Sequence, residues 1–408
     1  MRILVTNWTR RRVGGTETYL GRIMALIAGR GHDIGFAYEM DAPADRTLIP
    51  LPSDAAIFAI AEGRDEALAR VRAWKPDVIY AHGLVDPDLE ERLLEIAPSV
   101  FFAHAYYGTC ISGEKTHKFP VIQPCDRRFG AACLALFYPR RCGGLSPVSM
   151  MREYTRQQQR LALLRRYDAV LTHSAHMRRE FLRHGAANGR VLNCSYTVSG
   201  ADRPAPAAPL RDARVAAAPW HLTFMGRMDR LKGGGHLIDA LPGVHADTGQ
   251  ALKLTFAGDG PARAEWESRA QRIMAGTPQI AIEFTGWLQH SQLATVLATT
   301  DIVVMPSLWP EPYGLVGPEA NRRGIPVVAF ATGGIPEWLV DGVNGCLAPG
   351  DPPTVAGLAD AIVRCLRSLA AGDTLRKGAA SMGNSLEDDV HVDALLEILG
   401  GVAGRATV

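Results

Sequence analysis

The chain has 408 residues, 47% hydrophobic and 21% charged, a balance that excludes a disordered polymer and allows two or three domains whose cores need no disulfide or structural metal. Its 44 Lys and Arg against 42 Asp and Glu leave a formal charge of +2, which argues against wholesale nucleic-acid binding. No apolar run reaches the roughly 18 residues of a membrane span, and Met1-Arg2-Ile3-Leu4-Val5-Thr6 is too short and too strand-like for a signal peptide, so the expected location is the cytoplasm, where thiols stay reduced.

Apolar, β-branched runs predict strands at Arg2–Thr6, Asp33–Tyr38, Ala55–Ile60, Asp77–Tyr80, Val100–Ala103 and Ala169–Thr172. Further strands are expected at His221–Met225, Lys253–Ala257, Ala281–Phe284, Ile302–Met305 and Val327–Phe330. Helical segments lie between them, as in Ala67–Trp74, Leu161–Arg166 and Ala356–Leu369. Such alternation means parallel sheets covered on both faces, an α/β class. Residues 200–219 break the pattern with a Pro/Ala-rich run that reads as a linker. The expectation is two doubly wound, Rossmann-like domains, 1–199 and 220–384, facing each other across a cleft at their strand ends. An irregular stretch, Tyr106–Pro147, sits inside the first and is long enough to be functional or a lid. From Tyr106 to Arg190 there are 15 Lys or Arg and 5 Asp or Glu, a local +10 that should face something anionic.

Candidate residues follow the strands. Gly14-Gly15-Thr16-Glu17 opens a helix expected at Tyr19–Ala28, where backbone and helix N-terminus suit an anion; a plain tight turn is the alternative. The dinucleotide fingerprint is absent, which counts against NAD. Gly226, Arg227 and Lys232 lie in Gly226-Arg227-Met228-Asp229-Arg230-Leu231-Lys232-Gly233-Gly234-Gly235, a guanidinium and an ammonium beside a helix start. That set is a diphosphate cradle, or else a solvated basic loop. Gly258, in Phe256-Ala257-Gly258-Asp259-Gly260, and Trp287, in Thr285-Gly286-Trp287, end two more strands; Trp287 is either a flat ligand surface or packing.

The most informative segment runs from Pro306 to Ala320. Glu311 precedes a Gly turn and Glu319 lies eight residues on in an expected helix, so two carboxylates are placed to grip hydroxyls of linked sugars. The N–H groups of Gly314, Leu315 and Val316 would start that helix and suit a phosphate; ordinary helix-start acids are the plain alternative. His82 and His104 both end strands in the first half. Asp86-Pro87-Asp88 matches a short acidic metal motif but reads better as a helix start.

Together these residues resemble the retaining GT-B glycosyltransferases called glycosyl transferases group 1, related to glycogen synthase. The likeness rests on the Gly-Gly loop, the strand-end histidines, Gly-Arg…Lys-Gly, Gly-Asp-Gly, Thr-Gly-Trp and Glu-Pro-Tyr-Gly-Leu-Val…Glu-Ala, and covers nearly the whole chain. It implies transfer of a sugar from a UDP- or GDP-sugar to an acceptor hydroxyl, with no cofactor and no catalytic metal. Arg227 and Lys232 would then bind the diphosphate, Glu311 the transferred sugar, Glu319 the ribose, backbone at Gly314–Val316 phosphate and sugar, and the Trp287 region the base. His104 is similar to the first-domain histidine beside the transferred sugar. The first domain would bind the acceptor, a glycan, a lipid-linked glycan or a small molecule, with His82, Arg140 and Arg141 as candidates. The segment 385–408 would cross back to it. A nucleoside diphosphate sugar epimerase of the same architecture is the alternative activity.

Cys110, Cys125, Cys133 and Cys142 crowd the irregular stretch without a Cys-x-x-Cys pair; free thiols, a zinc site and disulfides remain open for them. Ala131–Tyr138, between Arg127-Arg128 and Arg140-Arg141, suits either an anionic lipid surface, met peripherally, or a lid with solvated arginines.

Overall fold

The computed structural model describes residues 1–44, 46–187, 191–193, 218–384 and 388–405. Most of the expected linker, residues 200–217, and the boundary near Ser385 lie outside the described residues. In chain order the elements are β1 (Arg2–Thr9), α1 (Gly15–Ala28), β2 (Asp33–Met40), β3 (Ala56–Ala59), α2 (Arg64–Trp74), β4 (Val78–Ala81), α3 (Pro87–Leu94), β5 (Ser99–Ala103), β6 (Thr116–His117), β7 (Gln123–Pro124), α4 (Ala132–Leu136), α5 (Pro147–Leu164), β8 (Ala169–Thr172), α6 (Ala175–Arg183) and β9 (Val191–Asn193). They continue with β10 (Trp220–Met225), α7 (Gly234–Thr248), β11 (Leu252–Ala257), α8 (Arg263–Gly276), β12 (Ile280–Gly286), α9 (His290–Leu297), β13 (Ile302–Met305), α10 (Val316–Arg322), β14 (Val327–Phe330), β15 (Gly345–Ala348), α11 (Val355–Ala371), α12 (Thr374–Asn384) and α13 (Asp388–Arg405).

Two compact units result. One comprises Met1–Lys115, Asp126–Ser199 and Leu386–Val408; the other comprises Thr116–Cys125 and Gly200–Ser385. The irregular stretch is thus not confined to the first half: its β6–β7 hairpin belongs to the second unit, where Ile122 packs on the main core.

The first unit holds a seven-stranded parallel sheet in the order β3-β2-β1-β4-β5-β8-β9. Its central strands are buried along their length, as a sheet covered on both faces requires. The second holds β12-β11-β10-β13-β14-β15, also parallel. Leu222, Phe224, Phe256 and Val304 pack one face of it with Trp266 of α8 and Leu237 of α7. Met305, Ala329, Trp338 and Tyr313 pack the other. In each sheet the strand order reverses beside the first strand of its unit, between β1 and β4 and between β10 and β13. Such switch points are where open α/β sheets receive ligands.

The elements missed by sequence patterning have physical reasons. β15 is Gly-Cys-Leu-Ala and β9 only three residues long; neither carries a β-branched run. α5 begins at Pro147, well before the expected Leu161, because its first turns mix polar and apolar residues without a continuous apolar stripe. Its start signal was nonetheless present: Ser146 accepts from Ser149 N, with Pro147 at the first helical position. Asp86 caps α3 through Asp88 N, the helix start expected there.

In α10, Gly317 lies flat against Trp338, whose indole N–H donates to Tyr313 O at 2.6 Å. A Cβ on Gly317 would come within 1.8 Å of the indole ring. Gly317→Ala is therefore expected to destabilise the second unit by about 1–3 kcal/mol through overpacking, measured as a lower urea midpoint with unchanged slope.

Candidate active site

Lys232 and Glu311 come from loops that follow β10 and β13, the two strands flanking the switch point. After β10 the chain makes a 3-10 turn, Arg230–Lys232, capped by the Asp229 side chain on Leu231 N. Gly233 then enters α7 at φ +74°, and a Cβ there would lie 1.8 Å from Pro306 O. Only glycine lets the two loops approach so closely. Leu308 N donates to Leu231 O at 2.8 Å and joins them.

This joint brings Lys232 Nζ to 2.6 Å from Glu311 Oε1, which also accepts from Ser307 Oγ at 2.6 Å. The Lys232 ammonium lies 5.1 Å from the centre of the Trp309 ring, a cation–π contact. Glu311 is buried, and its main-chain carbonyl accepts from Gly334 N at 2.8 Å, so the loop after β14 braces it as well. An ammonium has three donors. Lys232 uses one to orient Glu311 and keeps the others available to a second anion. Arg227, one residue past Gly226, is exposed and forms no ion pair among the described residues.

Beside this pair the ends of β10, β11 and β12 stack. Gly226 N donates to Ala257 O at 3.0 Å and Gly258 N to Gly286 O at 2.9 Å. Gly258 has φ +146°, and a Cβ there would lie 2.0 Å from Gly226 O. Trp287 follows with its side chain 60% exposed. Gly314, Leu315 and Val316 form the turn into α10 and its first position. Glu319 is the fourth residue of that helix, half-buried; burial raises its carboxyl pKa while Arg323 and Arg322 pull it back down. The structure thus gathers Gly226, Arg227, Lys232, Gly258, Trp287, Glu311, Gly314, Leu315, Val316 and Glu319 along one edge of one sheet, in the loops after its strands. Ser307 and Trp309 join them; they stood in the same Pro306–Ala320 segment but carried no motif signal of their own.

In the first unit, Gly14 and Gly15 form the entry to α1, which starts four residues earlier than expected. Gly14 N donates to Glu17 Oε2 at 2.8 Å, so that N–H is already used. His82 and His104 follow β4 and β5, and a third histidine, His173, follows β8. These three strands are adjacent, so their end residues form a row. His82 Nδ1 lies 2.7 Å from His104 Nε2, and His104 Nδ1 lies 3.0 Å from His173 Nε2. Both ring nitrogens of His104 are therefore engaged by imidazoles. It can hydrogen-bond a sugar through a nitrogen only by giving up one of these bonds, whereas His82 Nε2 has no partner among the described residues. His173 was not singled out from sequence, although Thr172-His173 repeats the strand-then-histidine signal of the other two. Below the row, Tyr19 Oη contacts Tyr80 Oη at 2.7 Å and His391 Nε2 of α13 at 2.9 Å. The loop after His82 is held by buried Glu90, which accepts from Leu84 N and from the Tyr107 and Tyr167 hydroxyls.

Arg140 and Arg141 stand in the turn after α4. Cys110 and Cys133 are free thiols, and no group of three or more His, Cys, Asp or Glu among the described residues is disposed to hold a metal ion.

Residues 219–368 match the family model described as "Glycosyl transferases group 1", and residues 13–192 match "Glycosyltransferase Family 4". The chain belongs to the GT-B glycosyltransferases. This glycosyltransferase is 26% identical over 418 residues to a glycogen synthase of Mycobacterium tuberculosis (strain ATCC 25618 / H37Rv), across 93% of this chain and 89% of that protein. It is 23% identical over 367 residues to a D-inositol 3-phosphate glycosyltransferase of Corynebacterium diphtheriae, across 86% and 82%. In fold it is similar to a sucrose-phosphate synthase from Thermosynechococcus elongatus, with TM-score 0.72 at 19% identity over 99% of this chain and 100% of that one. It is likewise similar to Anabaena HepE solved with UDP and glucose, with TM-score 0.65 at 21% identity over 98% and 100%. No helix among the described residues of this glycosyltransferase is long and apolar enough to cross a membrane.

Burial holds all three imidazoles of the row neutral, pushing His104 down to about 3 and His82 and His173 well below the usual 6.5. Unfolded, each takes a proton near 6.5, so the unfolded chain binds more protons below that pH. Stability from the row is complete above 6.5 and lost as pH falls, by up to about 1.4 kcal/mol per pH unit per imidazole. Urea midpoints measured from about pH 7.5 down to about pH 5 should fall steeply in the wild type, and less steeply in the His82→Gln, His173→Gln double variant.

Proposed function

We propose that this glycosyltransferase transfers a sugar from a nucleoside diphosphate sugar, UDP- or GDP-linked, to an acceptor hydroxyl with retention of configuration and without metal or other cofactor. The observation that carries the reading is the Lys232–Glu311 pair beside the unpaired Arg227, set at the sheet's switch point. Breaking a sugar–diphosphate bond leaves negative charge on phosphate and positive charge on the sugar ring. Arg227 and the spare N–H groups of Lys232 meet the first. Lys232 is held in place by Glu311 before the reaction, and charges so preplaced are the most effective. They supply the charge neutralisation that a divalent ion gives in other transferases. Glu311, oriented by Lys232 and Ser307, accepts hydroxyls of the transferred sugar. The half-buried Glu319 accepts the ribose hydroxyls, and Trp287 offers its exposed face to the base. Backbone at Gly226, Gly258 and Gly314–Val316 lets the phosphates approach the main chain.

Glu311 is already bonded to Lys232 and Ser307, and Glu319 is assigned to the ribose, so no carboxylate of this group is assigned as a nucleophile. The reading is therefore a front-face departure and attack, in which the leaving phosphate takes the acceptor proton. Support for the donor class comes from the relatives' names, which include glycogen synthases and a GDP-mannose-dependent mannosyltransferase. The acceptor, a glycan, a lipid-linked glycan or a small molecule, is assigned to the first unit, with the unspent His82 Nε2 as the polar group offered to it.

Two measurements test this. Arg227→Ala with Lys232→Ala should lower kcat/KM for a UDP- or GDP-sugar by more than about a hundredfold, with the far-ultraviolet circular dichroism unchanged; near-normal turnover would refute the cradle. Chelation with EDTA should leave turnover intact. In a separate cycle, Lys232→Ala alone strands the buried Glu311 charge and should cost roughly 1–3 kcal/mol of stability. Adding Glu311→Gln should restore much of that stability and none of the activity.

A further inference from the structure

The segment between Arg127 and Arg152 contains five arginines (127, 128, 140, 141 and 152) and no Asp or Glu. In the structure it is a platform rather than a loose loop. Phe129, Phe137, Tyr154 and Ile111 form a separate small core, with Met150 and Leu161 packed against it. The platform is anchored beneath by buried Lys115, which pairs with Glu180 and donates to Arg127 O at 2.5 Å, and by Phe129 N donating to His184 Nε2 at 2.8 Å. On its outer side stand large apolar residues with nothing over them. Leu145 is 86% exposed and Val148 78%, followed at the next three-residue step by exposed Met151. Met150 and Tyr154 of α5 face the small core, so by helical periodicity Val148 and Arg152 face away from it. Burial in the fold explains neither Leu145 nor Val148.

We propose that this platform is a membrane-docking surface that seats the first unit on an anionic lipid bilayer, with Leu145, Val148 and Met151 entering the interface and the arginines meeting lipid phosphates. The charge sets the occupant. Arg127 and Arg128 are exposed and carry no ion pair among the described residues. The two bordering acids leave the excess intact: Asp126 is a single charge at the edge, and Glu153 is paired with Arg156 at 3.2 Å and Arg152 at 3.7 Å. An apolar spur on an arginine-rich platform matches the boundary between headgroups and acyl chains, where guanidinium groups meet phosphate while leucine and methionine leave water. A nucleic acid would use the arginines and leave the spur in water. The inference goes beyond the donor reading, since it uses no residue assigned to the nucleotide sugar. It gives the lipid-linked class of acceptor a physical route to the enzyme.

The test is flotation of the full chain with phosphatidylcholine vesicles containing roughly one-third phosphatidylglycerol and with pure phosphatidylcholine vesicles. Binding of UDP and of GDP by calorimetry is measured in parallel. Binding to the anionic vesicles is expected, at least about tenfold above the neutral ones and weakening with salt. Arg127→Glu with Arg128→Glu should remove most of the preference for anionic vesicles. Leu145→Ser with Val148→Ser should weaken binding to them at least about tenfold. Both variants should keep the wild-type binding of UDP or GDP. Equal binding to both vesicle types, no binding, or unchanged binding by both variants would overturn the proposal. So would suppression by inorganic phosphate with no dependence on Leu145 and Val148, which would mean a free-anion site. A protein that binds vesicles but neither UDP nor GDP would sink the donor reading and leave this one standing.

Discussion

All the chemistry assigned to this chain depends on one constraint: every strand in each main sheet runs the same way. A parallel sheet puts all its carboxyl ends along one edge, and the strand that starts each unit has neighbours leaving in opposite directions. Loops from distant parts of the sequence therefore meet there. Lys232 and Glu311 are 79 positions apart, and they touch because β10 and β13 are neighbours on either side of the reversal. The histidine row has the same origin. Three adjacent strands end in histidine, and the lateral spacing of a sheet places their rings in hydrogen-bonding sequence. The glycines at these ends, Gly233 and Gly258 above all, let one loop rest directly on another's backbone.

The two units use this edge differently. In the second, charge is balanced locally: an ammonium holds a buried carboxylate in place while an arginine beside it stays exposed. In the first, charge is excluded. Three imidazoles are kept neutral by burial, and Glu90 is surrounded by tyrosine hydroxyls and a backbone N–H, with burial raising its pKa. Groups of the first kind suit a ligand that brings charge, and groups of the second suit hydroxyls.

Much of this was legible in the sequence. The strands of both sheets announced themselves as apolar β-branched runs, and the residues just past them, Arg227, Lys232, Glu311 and Glu319, could be named because strand ends are where such folds place ligands. What stayed illegible was anything decided by lateral neighbours. The strand before His173 was visible, but not that it would lie beside β5, so its place in the row was hidden. The engagement of both His104 nitrogens was hidden for the same reason. The β6–β7 hairpin joins the second unit through Ile122, a long-range packing choice with no local signature. β15, lacking branched residues, is a strand only because β14 offers it a partner.

The bond between Tyr19 and His391 spans 372 positions. The unit begun by the first strand is closed by the last helix, with Leu395 and Leu399 fully buried. On the ribosome α13 emerges after the strands of the second unit, so that unit can reach its native state while the first still lacks a wall. The strands around β1 must wait, partly assembled, until α13 has been made.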